Sequence, residues 1–255
     1  MHVSLAITSL VYISFQSFNI SVEDRILAFA FMSSLVAYNY IRYYDILSFK
    51  FVKSLLPIYC ITIICFFIGI YFFFLLNISQ MVLVVILGLI TIFYVFPYYK
   101  SSIKRKNIRN VAGLKVFVVS IVWALFIVLM PLLTYKINYS VFEIIFLTQI
   151  YCFVFISILP FEIRDLQIDN PKLNTIPQVL GIKKTKIIGL ILSLIFVVLE
   201  SYKSIIIESI IYNNFIIILI LSFFLLKSKN DQSKYYSSFW VESLPIIWAL
   251  SIYII

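Results

Sequence analysis

Nine stretches of about twenty mostly apolar residues, separated only by short polar connections, dominate this chain, and that length is what one helical crossing of a hydrocarbon layer requires. They run over residues 3–19, 25–43, 55–76, 80–98, 113–134, 141–160, 186–200, 205–226 and 237–255. The seventh is the shortest. With 12% charged residues and 63% hydrophobic ones, the 255-residue chain has about half the charge of a soluble domain. The expected fold class is therefore all-α, a polytopic membrane protein in a nine-helix bundle, with residues 1–255 forming one integral-membrane domain. The opening MHVSLAITSLVYISF has neither a basic leading segment nor a small-residue cleavage site, so it reads as a retained first helix.

The net charge of +9 is not spread as in a nucleic-acid binder. Seventeen of the 20 Lys and Arg fall in alternate connections. They are Arg42, Lys50 and Lys53; Lys100, Lys104, Arg105, Lys106, Arg109 and Lys115; Arg164, Lys172, Lys183, Lys184 and Lys186; and Lys227, Lys229 and Lys234. Only Arg25, Lys136 and Lys203 fall on the other side. The positive-inside rule then sets the first group and the N-terminus in the cytoplasm, with the C-terminus outside. No nucleic-acid partner is expected. Orientation and attraction to anionic lipid account for most of these charges. Arg42 and Arg164, which each end a span, and Lys115, just inside the fifth, are better phosphate-binding candidates.

Cys60, Cys65 and Cys152 lie in apolar runs without a C-x-x-C pair and read as buried hydrophobes. No G-x-G-x-x-G or P-loop pattern occurs, so a phosphate would have to be held by metal and basic side chains. His2 is the only histidine, which disfavours a histidine base or His-ligated metal.

Against this background the stretch FEIRDLQIDNPKLNTIPQVLG, residues 161–181, stands out. It brings Glu162, Asp165 and Asp169 to a membrane boundary, where ionisable groups are costly and mark function. If the segment is helical, spacings of three and four set them on one face. Repulsion among them is relieved by a cation or by neighbours such as Arg164, Lys172 and Lys183. Glu242, in the last span, is a further intramembrane acid. A weaker echo links the ends of the second and sixth spans: Ile41-Arg42 superposes on Ile163-Arg164, pairing Tyr40 with Glu162 and Tyr43 with Asp165.

These motifs resemble the UbiA superfamily of intramembrane prenyltransferases, over essentially the whole chain. The resemblance implies nine helices around a central cavity and two acidic motifs on the cytoplasmic face. Asp165-Leu166-Gln167-Ile168-Asp169 matches the second motif, D-x-x-x-D. Thr175-Ile176-Pro177-Gln178-Val179-Leu180-Gly181 matches the T-L-P-x-x-x-G that follows it, with one residue fewer between the blocks. The first motif, N-D-x-x-D-x-x-x-D, keeps Asn39, but Tyr40, Tyr43 and Leu47 stand at its aspartate positions, and Asp45 lies nearby out of register. The basic loop FPYYKSSIKRKNIRN lies where the family places cations around its diphosphate.

The resemblance implies a Mg2+-dependent transfer of an isoprenyl group from a polyprenyl diphosphate to an aromatic or lipophilic acceptor. Magnesium favours octahedral oxygen coordination and bridges carboxylates to phosphates, which suits paired acids. The implied metal ligands are Asp165, Asp169, Glu162 and Asp45, with Asp165 and Asp169 catalytic. The implied substrate-binding residues are Asn39, Arg42, Arg164, Lys115 and Lys172. An apolar cavity would take the tail, and Tyr40, Tyr43, Tyr44 and Trp123 offer faces to an allylic cation. The tyrosine replacements also suit an inactive relative that binds prenyl lipid or a membrane partner. A transporter fits less well, because the prolines lie toward helix ends.

Overall fold

The computed structural model describes residues 1–47, 55–95, 97–101, 104–107, 113–134, 140–167, 174–207, 212–233 and 235–254. They form nine α-helices: α1 (His2–Ser17), α2 (Asp24–Leu47), α3 (Leu56–Phe73), α4 (Ile78–Val95), α5 (Leu114–Leu132), α6 (Val141–Arg164), α7 (Ile176–Ile207), α8 (Tyr212–Lys227) and α9 (Glu242–Ile254). Four helical stretches have the length and hydropathy to cross a membrane: Leu56–Phe73, Leu114–Leu132, Val141–Gln167 and Tyr236–Ile254. The helical expectation holds because a chain in hydrocarbon must satisfy its backbone internally.

The order of packing follows connection length. Successive helices turn back on one another, and contacts at each end show the alternation. At one end Arg25 Nη1, at the start of α2, donates to the Leu75 carbonyl beyond α3 (2.9 Å), and Gln80 Nε2 of α4 donates to the Met130 carbonyl of α5 (2.9 Å). At the other end Lys186 Nζ of α7 donates to the Leu226 carbonyl of α8 (2.7 Å), and His2 meets Glu242 of α9. The bundle closes where α1 packs along α9, and it is centred on α6, which packs against α5, α7 and α8. Ser140 caps α6: its Oγ accepts from the Phe142 N–H (3.2 Å), and Glu143 accepts from the Ser140 N–H (2.7 Å). Phe146, Phe153, Phe155, Ile156, Leu159 and Ile163 fill the interior.

Three features depart from the sequence reading. First, the basic connection after α4 is not all loop: β1 (Pro97–Ser101) and β2 (Lys104–Asn107) form an antiparallel ribbon, with Lys100 opposite Arg105. Pro97 cannot donate a helical hydrogen bond, and the tyrosines that follow favour extended backbone. Second, the span expected at 186–200 is part of the longest helix, α7, whose Lys183, Lys184 and Lys186 hid it from an apolar count. It breaks at Gly181 (φ 79°, ψ 162°), a conformation open to glycine alone among common residues. Third, Cys65 and Cys152 are buried, but Cys60 is exposed on α3.

Lys203, assigned from sequence to an outer connection, is instead buried within α7. Its Nζ lies 2.7 Å from Glu200 Oε2 and 3.4 Å from Gln149 Oε1. Gln149 Nε2 and Asn214 Nδ2 donate to the two Glu200 oxygens (2.7 and 2.8 Å), and Trp248 Nε1 donates to Asn214 Oδ1 (2.9 Å). This network ties α6, α7, α8 and α9 together in a region where an unsatisfied charge is costly. Glu200→Leu leaves the Lys203 ammonium buried and unpaired, so a loss of about 3–5 kcal/mol is expected in thermal unfolding in detergent, with most of it recovered by Glu200→Leu combined with Lys203→Met.

Candidate functional site

The end of α6 supplies the polar residues of the site. Glu162 is 2% exposed, and its Oε1 lies 2.5 Å from Lys115 Nζ in the first turn of α5. Its Oε2 is buried without a hydrogen-bond partner. An acid in such a setting depends on its one cation, and the free oxygen is the feature here that fits a metal or a ligand donor.

Two residues on, α-helical winding ends and Asp165–Gln167 tightens into a 3₁₀ turn. The Arg164 guanidinium grips Asp165 through both oxygens (Nε–Oδ1 2.7 Å, Nη2–Oδ2 2.9 Å), stands over the Phe161 ring and donates from Nη1 to Ser237 Oγ (2.8 Å). A bidentate fork of this kind fixes direction as well as charge. α6 stops at Arg164, so Asp165 opens a 3₁₀ turn and not a further α-helical turn. Asp169 and Lys172 lie outside the described residues.

Ser237 belongs to a second irregular element. Residues Tyr236–Val241 wind as a π-helix directly before α9, a geometry that often marks functional positions. Tyr236 Oη donates to the Phe224 carbonyl (2.7 Å), and Gln232 Nε2 donates to the Pro160 carbonyl (2.9 Å), so this turn is held against α8 and α6. Glu242 follows. Its Oε2 is 3.4 Å from His2 Nδ1.

On α2, Asn39 Nδ2 donates to Thr62 Oγ1 of α3 (2.7 Å), and Arg42 Nη1 donates to Tyr38 Oη (2.6 Å) while its guanidinium sits over that tyrosine's ring. The side chains of Tyr43, Tyr44, Asp45 and Leu47 lie outside the described residues. Among the described residues no three His, Cys, Asp or Glu side chains cluster as a metal site. Glu162 and Asp165 are the described acids at this end of α6, each already paired with a cation.

Below Asn39 and Arg42 lies a cavity of about 520 Å³ between α2, α3, α4 and α5. Tyr40, Ile41 and Tyr94 line it, with Trp123, Phe126 and Phe73 among its other walls. Its surface is almost wholly apolar, so it suits a hydrocarbon and not a charged solute. Sequence reasoning singled out Tyr40 and Trp123, but the Ser237 turn, the His2–Glu242 pair and the Glu200–Lys203 network were missed. Glu200 and Lys203, three apart at the end of an apolar run, were the available signal for the last.

Comparison with known proteins bears on the fold. No family model and no curated protein matches the chain. Four solved structures do match it. A UbiA homolog from Aeropyrum pernix K1, solved in the apo state, superposes with a TM-score of 0.71 at 14% identity over 98% of this chain and 97% of that one. A UbiA homolog from Archaeoglobus fulgidus bound to Cd2+ gives 0.64 at 13% identity, covering 100% of this chain and 97% of that one. The same homolog bound to GPP and Mg2+ gives 0.60 at 13%, with coverage of 100% and 97%. The chain thus has the fold of the UbiA homologs across nearly its whole length, as its motifs imply.

The Lys115–Glu162 pair can be tested alone. Lys115→Met leaves a buried carboxylate without its cation and is expected to cost about 2 kcal/mol, less than a fully buried pair because Lys115 is partly exposed. Lys115→Met with Glu162→Leu should recover most of that loss in thermal unfolding; equal losses in the single and double variants would show that the pair contributes nothing.

Proposed function

We propose that this protein is a UbiA-superfamily prenyltransferase that moves an isoprenyl group from its diphosphate to a lipophilic acceptor in the membrane. The observation that carries this reading is the apolar cavity reaching Tyr40, flanked in sequence by Asn39 and Arg42, on a fold whose Archaeoglobus fulgidus representative was solved with GPP and Mg2+. The basic end of the bundle, with the N-terminus, faces the cytoplasm in this reading, and the C-terminus lies outside.

In this proposal Arg42, Arg164, Lys115 and Lys172 receive the diphosphate, and Asn39 orients α2 beside it through Thr62. The tail lies among the apolar side chains of the cavity, where each buried methylene contributes roughly 0.8 kcal/mol. Heterolysis of the allylic carbon–oxygen bond sends the electron pair to the diphosphate. The faces of Tyr40 and Trp123 steady the allylic cation until the acceptor's electron pair reaches it, and the acceptor then gives up its proton to a carboxylate, a tyrosine or water. Glu162, Asp165 and Asp169, with Asp45, are the residues that would hold Mg2+, Glu162 through its unpartnered oxygen. The ion supplies charge neutralisation for the departing diphosphate. For Asp165 to join, its fork with Arg164 has to open, freeing the guanidinium for phosphate at the same time.

A second reading, an inactive relative that binds prenyl lipid, is favoured by Tyr40 and by the engagement of both Asp165 oxygens with Arg164. Purified protein with a labelled prenyl diphosphate separates the two: the enzyme releases diphosphate with Mg2+, whereas the binder retains the lipid unchanged with or without metal. Asp165→Asn is expected to weaken Mg2+-dependent binding of a non-ionisable prenyl diphosphate at least about tenfold; unaltered affinity would remove Asp165 from the metal site.

A further inference from the structure

Nearly every Lys and Arg whose side chain is described is tied to an acid. Arg25 holds Glu23, Lys115 holds Glu162, Arg164 holds Asp165 and Lys203 holds Glu200, while Arg42 lies on Tyr38. Five lysines are the exception, and they sit together. Lys183, Lys184 and Lys186 stand in α7 just past its break at Gly181, and Lys227 and Lys229 at and beyond the end of α8. Lys186 shows how close these ends come, because its Nζ donates to the carbonyl of Leu226, the residue before Lys227 (2.7 Å). Among the described residues none of the five forms an ion pair with a carboxylate, although exposed Asp231 follows Lys229 by two residues.

The positive-inside rule asks only that lysines be present at this end, and it does not require this arrangement. Both groups head apolar stripes. Helical spacing sets Lys183, Ile187 and Leu194 on one face of α7, and Leu219, Phe223 and Lys227 on one face of α8. The stripes turn outward: Ile187 is 54% exposed, Leu194 63%, Leu219 65% and Phe223 55%. The helices meet behind them, where Ser222 Oγ donates to Ser193 Oγ (2.9 Å) and Gly189 leaves no room for a Cβ beside Leu225. Lys227 folds down onto its stripe, with Nζ 5.7 Å from the Phe223 ring centroid. Two helices packed in this way leave a shallow furrow on their outer side, apolar along its length and cationic at one end. None of these residues lines the cavity between α2 and α5.

From this placement we propose that the furrow binds an anionic diacyl phospholipid of the surrounding bilayer. Its phosphate lies among Lys183, Lys186, Lys227 and Lys229, and one acyl chain follows Ile187, Leu194, Leu219 and Phe223. Charge selects the occupant. Clustered cations without acids call for a counter-anion, and at the membrane interface the anion at hand is a lipid phosphate. Lys186 spends one of its three ammonium protons on Leu226 and keeps two for that phosphate. A zwitterionic lipid brings its own ammonium into the cluster and fits worse. A soluble phosphate has no chain to lay on the stripes. The bound lipid fastens the ends of α7 and α8 together, and it does so whether or not the protein transfers prenyl groups.

The test uses full-length protein in mild detergent, titrated with phosphatidylglycerol or phosphatidylcholine of the same acyl chains and followed by native mass spectrometry. Phosphatidylglycerol is expected to be held at least about tenfold more tightly. Lys183→Gln with Lys227→Gln should abolish that preference, at about fivefold for each cation lost, whereas Lys183→Arg with Lys227→Arg should keep it. Lys50→Gln with Lys53→Gln removes the same charge from the connection after α2 and is expected to leave the preference unchanged. Phosphatidylglycerol with a diazirine in its acyl chain should label residues 183–198 and 216–227. Equal retention of the two lipids, or label confined to other helices, would overturn the proposal. So would an equal fall in both glutamine pairs, the mark of diffuse attraction, or displacement of the lipid by excess glycerol phosphate, the mark of a free phosphate site.

Discussion

Hydrocarbon offers no water to a backbone amide or a charged side chain, and that constraint organises this molecule at every level. It selects helices, keeps connections short, and requires each polar group within the bundle to find a protein partner or sit at an end. Glu200 meets it with Lys203, Gln149 and Asn214; Glu162 meets it with Lys115; Arg164 meets it with Asp165 and Ser237. Glu162 Oε2 is left over. A buried oxygen without a partner is costly to keep, and a ligand at the end of α6 would relieve that cost.

The same constraint divides the bundle into two unlike parts. Around α6 the interior is closed, with Phe153 and Trp248 ring to ring at 5.2 Å and the Glu200 network joining four helices. Around α3 and α4 the helices splay and an apolar cavity takes the place of side-chain packing. A rigid part carrying the charged side chains beside an open part with room for hydrocarbon suits an amphiphile: one end of it needs fixed directions, the other only volume. Arg164, held by Asp165 and Ser237, belongs to the first part. Tyr40, on a cavity wall, belongs to the second, and Arg42 follows it by two residues on α2.

Much of the architecture could be read from the chain because the apolar runs are long and their connections short. Seven of the nine expected spans each overlap a single α-helix, from α1 at His2–Ser17 to α9 at Glu242–Ile254, while the eighth, 205–226, starts in the end of α7 before it covers α8. The seventh misled because Lys183, Lys184 and Lys186 interrupt the apolar pattern, although lysine is a good helix former and can extend its ammonium to the interface. The β1–β2 ribbon escaped because a basic, aromatic loop and a short ribbon share a composition. At the site, residue types were legible and pairings were not. Spacing did not reveal the 3₁₀ turn at Asp165–Gln167, nor that Ser237, which Arg164 meets, lies in a π-helical turn. Motif resemblance did anticipate the overall fold, where identity to the matched structures is only 13–14%.

In the proposed function a lipid diphosphate lies with its headgroup against the end of α6 and its tail in the cavity bounded by α2 to α5. A crystal grown with a non-ionisable prenyl thiolodiphosphate and Mn2+ tests it directly through the anomalous signal of the metal. Expected are a manganese peak beside Glu162 and Asp165, phosphorus density facing Arg42 and Arg164, and tail density running past Tyr40 into the cavity. A metal peak elsewhere, or a tail bound outside that cavity, would contradict it.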